Sequence, residues 1–124
     1  MNVLIDTHAL LWFLTKSPSL SQQARISIEK SLIIYITTIV LLEFMYLLQK
    51  KGQINKFSIF LKTIKNSNRY VIIALDTAVV ESVSKISQKL EIHDKIILAT
   101  AKLLKTIIIT KDESIRKNYS KSIW

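Results

Sequence analysis

Residues 90–112 read LEIHDKIILATAKLLKTIIITKD, and the order of elements in this stretch decides the architecture. It opens as a loop, continues as a helix that begins at Asp94, and passes into a short apolar strand at Thr106–Thr110. An acidic turn at Asp112 follows. A helix that leads into a strand rich in β-branched residues is one step of a strand–helix alternation, so the same rhythm is expected on either side of it.

Upstream, Asn2–Ile5 is a short apolar run of the kind that forms a strand buried on both faces. Asp6 and Thr7 end it, and either side chain could cap a helical segment at His8–Leu14. Pro18 and Ser19 interrupt the pattern. Ser19 with Gln22 three residues later has the spacing of a capping box, which opens a helix to about Lys30. Leu32–Ile36 is a second β-prone run. Thr37 and Thr38 lead into an apolar helix, Ile39–Lys51, closed by two lysines and by Gly52, the sole glycine of the chain. Asn55–Lys65 carries Phe57, Phe60, Leu61 and Ile64 at helical spacing. Tyr70–Leu75 is a third β-prone run, Asp76 caps a helix over Thr77–Leu90, and a basic segment ends in Ile123 and Trp124. Strands and helices that alternate in this way imply an α/β fold with a mainly parallel sheet.

The 124 residues contain no repeat, linker or low-complexity segment, so residues 1–124 read as a single domain. Apolar residues form 49% of the chain, enough for a core and too many for a disordered polar tail. Cysteine is absent, which excludes a disulfide framework and a thiolate metal site. The N-terminal MNVLIDTHALLWFL has no basic flank and carries Asp6 within its apolar run, unlike a secretory signal. Leu32–Leu48 is the most apolar stretch, but Glu43 would be stranded in hydrocarbon, so it reads as core and no membrane association is expected. The expected compartment is the cytoplasm. Eighteen Lys and Arg against nine Asp and Glu give a net charge of +9, which fits a polyanionic partner such as a nucleic acid.

Ligands of parallel α/β sheets bind beyond the carboxyl ends of the strands, where the strand order reverses. Asp6 follows the first strand and Asp112 the last clear one. Asp94 opens the helix leading to that last strand, and Glu43 lies in a helix that itself follows a strand. All four acids can therefore reach one end of one sheet. Singly, Asp6 and Asp94 also read as N-caps and Asp112 as part of a turn. Glu43 differs, because apolar residues surround it and no Lys or Arg lies within a helical turn; a carboxylate in such surroundings needs a partner. A shared divalent cation would satisfy all four, and oxygen-only ligation suits Mg²⁺ or Mn²⁺ better than zinc. A phosphate-binding glycine loop is excluded by composition. His8 and His93 are the only histidines, and their flanks match no zinc-binding helix motif.

Asp6-Thr7-His8-Ala9-Leu10-Leu11-Trp12 resembles the opening signature of PIN-domain ribonucleases, in particular VapC-type toxins of toxin–antitoxin pairs. Ile92–Ala101, IHDKIILATA, is similar to their second acidic motif, Thr110-Lys111-Asp112 to their last, and Glu43 falls in the helix after the second strand. The motifs span essentially the whole chain in the family's order. The resemblance implies a PIN-like three-layer sandwich, a parallel sheet of four or five strands flanked by helices. It makes Asp6, Glu43, Asp94 and Asp112 the catalytic and metal-binding quartet for Mg²⁺ or Mn²⁺, with Thr7 and Thr110 as supporting hydroxyls. It also implies RNA hydrolysis by a metal-activated water, a cognate antitoxin, and a homodimer. Lys95 stands where relatives carry Arg, keeping the charge without the planar fork, and the segment before Glu43 lacks their Ser-Pro and Trp. Lys95 and Lys111, next to Asp94 and Asp112, are the nearest bases in sequence to contact RNA from the rim. Two other readings compete: a basic nucleic-acid-binding module whose acids are only caps, and an interaction protein on a PIN-like scaffold. Metal-dependent cleavage separates the first reading from both.

Overall fold

Val3, Leu4 and Ile5 are fully buried, as are Ile108 and Ile109 a hundred residues later. Successive side chains of a strand point to opposite faces, so these strands are covered on both sides and must lie inside a three-layer structure. The computed structural model, which describes residues 1–86 and 89–124, has that form. Its strands are β1 (Asn2–Ile5), β2 (Ile33–Thr37), β3 (Tyr70–Ile73), β4 (Ile107–Ile109) and β5 (Ser122–Ile123). They form one all-parallel sheet in the order β3-β2-β1-β4-β5. The register pairs Leu4 with Tyr35 on one side and with Ile108 on the other.

Helices flank the sheet: α1 (Thr7–Leu14), α2 (Gln22–Lys30), α3 (Thr38–Lys50), α4 (Phe57–Asn66), α5 (Thr77–Ser84), α6 (Ile92–Leu104) and α7 (Glu113–Asn118). A 3₁₀ turn at Ile54–Lys56 precedes α4. Helices α1 and α3 pack together, as do α5 and α6. The most apolar stretch of the sequence is divided between β2 and α3, and no described helix is long and apolar enough to cross a membrane.

The chain builds β1, β2 and β3 outward in one direction and then returns to place β4 and β5 on the other side of β1. The reversal falls between β1 and β4, whose adjacent carboxyl ends open the crevice that holds the site. The backbone N–H of Asp6 still donates to the carbonyl of Ile109, at 3.0 Å, at the edge of that crevice.

The boundaries differ from the sequence expectation at several points, each for a local reason. The cap of α2 is Ser21, whose hydroxyl accepts from the Ala24 N–H at 3.1 Å. The Ser19 N–H is instead tied to the Ser17 hydroxyl in the preceding turn. Asp76 caps α5 through the Val79 N–H, but the helix ends at Ser84 rather than Leu90. There the Ser84 hydroxyl donates to the Glu81 carbonyl at 2.6 Å, a local bond that competes with the helical ladder. Of the expected remainder, Ser87 and Gln88 lie outside the described residues. Strand β3 stops at Ile73 instead of Leu75. The basic C-terminal segment forms α7 and the edge strand β5, neither of which the sequence reading separated. The stop after α3 is as expected: Lys51 is its C-cap, and Gly52 at φ +68° donates to the Gln49 carbonyl. Lys105 ends α6 in the same left-handed region without a glycine.

Candidate active site

The first acid is placed by its role as a cap. Asp6 has extended backbone at the end of β1, and its Oδ1 accepts from the Thr7 N–H at 2.8 Å to start α1. Its Oδ2 accepts from the Thr110 hydroxyl at 2.6 Å, across the crevice at the end of β4. That hydroxyl also accepts the Asp112 N–H at 3.0 Å, so a fully buried Thr110 has its donor and one acceptor position used. Thr7, also buried, donates from its hydroxyl to Oε1 of Glu43 at 3.1 Å. The two threonines thus join three of the four acids into one hydrogen-bonded line, Glu43–Thr7, Asp6–Thr110 and Asp112.

Asp112 caps α7, with Oδ1 accepting from Ser114 and Ile115 N–H at 2.8 and 3.2 Å. At Asp112 the cap engages one oxygen and leaves the other for the crevice, whereas at Asp6 the cap and the Thr110 hydroxyl engage both. Asp94 is not a cap. Glu91 holds that place, and Asp94 stands in the first turn of α6, buried. The helix N-terminus favours negative charge there. Glu43 is half-buried rather than enclosed, because α3 turns it toward the crevice while Phe44 and Leu48 go into the core.

All four acids line one cleft of about 470 Å³. Thr7, Trp12 and Lys111 share its walls, as do both histidines, His8 and His93. Lys95 is not among its lining residues. Burial is the main force that raises the Asp94 pKa, from an ordinary 3.8 to about 6. His93 opposes the shift, while the charges of Asp112, Asp6 and Glu91 add to it. The imidazole Nε2 of His93 lies 3.0 Å from Oδ1 of Asp94, and its Nδ1 lies 3.5 Å from Oε2 of Glu91. Among the described residues, Glu91, His93 and Asp94 are the trio whose ligand atoms fall within 4.8 Å of one another. Of that trio, His93 and Asp94 line the cleft with Asp6, Glu43 and Asp112.

From sequence, His93 enters only as half of a possible two-histidine zinc site, and Glu91 carries no signal of its own. The adjacency of His93 to Asp94 was visible, but only the turn at the start of α6 brings Glu91 back beside them. Trp12 closes the Asp6–Trp12 motif, and its place in the cleft wall follows from α1, where His8 and Trp12 are four residues apart and their rings meet at 5.3 Å.

The donor set fits a hard divalent cation. Glu43 Oε2, Asp94 Oδ2 and Asp112 Oδ2 have no hydrogen-bond partner among the described residues, and carboxylate oxygens are what Mg²⁺ or Mn²⁺ takes. Without such charge the acids repel one another, which is the direction in which the Asp94 pKa moves.

The PIN domain family model matches residues 3–121. The chain belongs to the PIN domain family. Members of this family are nucleases and generally use divalent metals, in accord with an acidic site at the carboxyl edge of the sheet. No curated protein sequence matches the chain. Among solved structures, this PIN domain is similar to a chain of a toxin–antitoxin complex from Klebsiella pneumoniae. The two are 25% identical with a TM-score of 0.76, over 98% of this chain and 96% of that one. It shares its fold with VapC20 of Mycobacterium tuberculosis, a sarcin–ricin loop cleaving toxin, at 12% identity and a TM-score of 0.74, over 94% of each chain. The Rickettsia felis VapBC2 structure, bound to a promoter DNA fragment, matches at 16% identity and a TM-score of 0.70, over 94% of this chain and 92% of that one. The fold of this PIN domain is that of the VapC-type toxins.

Proposed function

We propose that this PIN domain is a Mg²⁺- or Mn²⁺-dependent endoribonuclease and the toxin of a toxin–antitoxin pair, acting in the cytoplasm. The observation that carries the reading is the hydrogen-bonded line of acids and threonines along one cleft at the strand-order switch. Asp6, Glu43, Asp94 and Asp112 would hold the metal. When bound, the cation would lower the pKa of a water and stabilise charge developing on the scissile phosphate.

The chain's own residues supply position. Thr110 holds the Asp6 carboxylate from one side and the Thr7 N–H holds it from the other, so its orientation is fixed before substrate arrives. Thr7 does the same for Glu43. Lys111 stands exposed in the cleft wall, where it would contact the RNA backbone. Lys95, half-buried and outside the cleft lining, is the weaker candidate for that role. The net charge of +9 would draw RNA toward a locally acidic cleft, with the bound metal closing the difference in sign.

A protein partner is supported by apolar side chains that the chain itself leaves in water. Leu42 and Tyr46 on α3 are more than half exposed, and edge strand β3 presents Val71 and Ile72. An edge strand and apolar patches of this kind mark interaction surfaces, here for a second copy of the chain and for a cognate antitoxin. The test is incubation of the purified protein with total RNA. Cleavage with Mg²⁺ or Mn²⁺ that stops on chelation is expected. Salt-dependent RNA binding without metal uptake or cleavage would instead favour a binding module whose acids are only caps.

A further inference from the structure

We infer that Trp12 is a stacking platform for a nucleobase next to the scissile phosphate. The inference rests on the ribonuclease reading and deepens it. Trp12 packs its inner side against the core while another part of it lines the acid cleft. Neighbouring rings meet it at a slant: His8 at 5.3 Å and 52°, Trp124 at 5.8 Å and 54°. Neither ring is stacked parallel on the indole. What lies over that ring is the Lys111 ammonium, 5.3 Å from its centroid.

Lys111 is exposed, and an exposed cation–π contact is weaker than the stacking of a base on an indole. A base arriving on Trp12 would therefore displace the ammonium. The displaced charge stays at the cleft wall, within reach of the phosphate that follows the base. Stacking and phosphate neutralisation thus belong to one event, and Trp12 lines the same cleft as the carboxylates that would hold the metal. Inside a duplex the base faces are already stacked on one another, so a duplex offers this surface only its two terminal pairs.

The test uses the chain's own fluorescence, since its only two tryptophans are Trp12 and Trp124. Binding is measured in chelator, where no cleavage is expected, with a ten-nucleotide single-stranded RNA and with the blunt duplex of the same sequence. Labelled RNA gives affinity independently. The single strand is expected to quench the Trp124→Phe protein, in which Trp12 alone emits, and the duplex to quench it far less. Trp12→Leu keeps an apolar side chain against the core without an aromatic face; about ten-fold weaker single-strand binding is expected, with Trp12→Phe retaining most of the affinity. His8→Ala, at an exposed position, leaves folding aside and is expected to weaken binding by a smaller factor. Bound single strand without quenching, unchanged affinity in Trp12→Leu, or equal quenching by duplex would overturn the inference. If the parent also cleaves RNA with metal, those results leave the ribonuclease reading standing. A parent that neither binds nor cleaves RNA overturns both.

Discussion

The hydroxyl of Thr110 donates to Oδ2 of Asp6 at 2.6 Å, joining the ends of β4 and β1 across the switch in strand order. The residues are far apart in sequence and adjacent only because β4 pairs directly with β1. The bond is what turns two strand ends into one site, since the same hydroxyl also receives the Asp112 N–H.

Thr110→Val keeps the shape of the side chain and removes both bonds. A hydrogen bond to a charged group contributes about 1.5–3 kcal/mol, and the part-buried Asp112 N–H loses its acceptor as well. The expected result is a melting temperature lower by roughly 5–10 °C, together with weaker metal binding in calorimetry. An unchanged melting curve would mean that solvent replaces the hydroxyl and that the line of acids is not held by it.

Asp94 gives a pH dependence with a definite sign. Its folded pKa is raised, to about 6, so the folded protein holds this proton more tightly than the unfolded chain does. The resulting stabilisation is fully present below the ordinary carboxylate range near 4 and is lost as pH rises through about 6. In chelator, Asp94→Asn is therefore expected to be more stable than the parent at pH 7.5, by on the order of 1 kcal/mol after solvent screening. The gap should close toward pH 4. Denaturant titrations at the two pH values measure it, and a variant less stable than the parent at pH 7.5 would contradict the burial argument.

Under the proposed function, metal and proton compete for the Asp94 carboxylate. Binding to the folded state alone stabilises by about 2.7 kcal/mol at a hundred times the dissociation constant. Mn²⁺ at that excess is expected to raise the melting temperature at pH 7.5, with the increment shrinking as pH falls through about 6, where Asp94 takes up its proton. An increment independent of pH would place the metal elsewhere than at Asp94.

The two lysines beside the acids separate in their salt dependence. Lys111 lines the cleft and Lys95 does not. Removing one phosphate contact to a single strand lowers the slope of log affinity against log salt by about 0.7. Lys111→Ala is expected to show that loss in RNA binding, and Lys95→Ala to leave the slope near the parent's. The reverse order would place the RNA on the other side of α6.

Much of this architecture was legible because local and tertiary preferences agree. The apolar runs at Asn2–Ile5 and Ile107–Ile109 have no polar face to turn outward, so they could only be central strands. Glu43 stood out because its neighbours Phe44 and Leu48 had to be core. What stayed hidden depends on contacts between distant elements. The two residues of β5 form a strand only by pairing with β4. Ser19 and Ser21 offer equivalent caps until the turn at Ser17 engages one of them. The closeness of Glu91, His93 and Asp94 needed the path of the chain into α6, and the indole of Trp12 could not be placed beside Lys111 before β4 was placed beside β1.

The most direct measurement pairs RNA cleavage with metal occupancy in one titration, for the parent, Asp6→Asn and Asp94→Asn, with circular dichroism to establish folding. Cleavage by the parent should rise with Mn²⁺ in step with calorimetric binding, and both variants, folded, should lose binding and cleavage together. Full cleavage in chelator, or by either folded variant, would contradict a site built from these carboxylates.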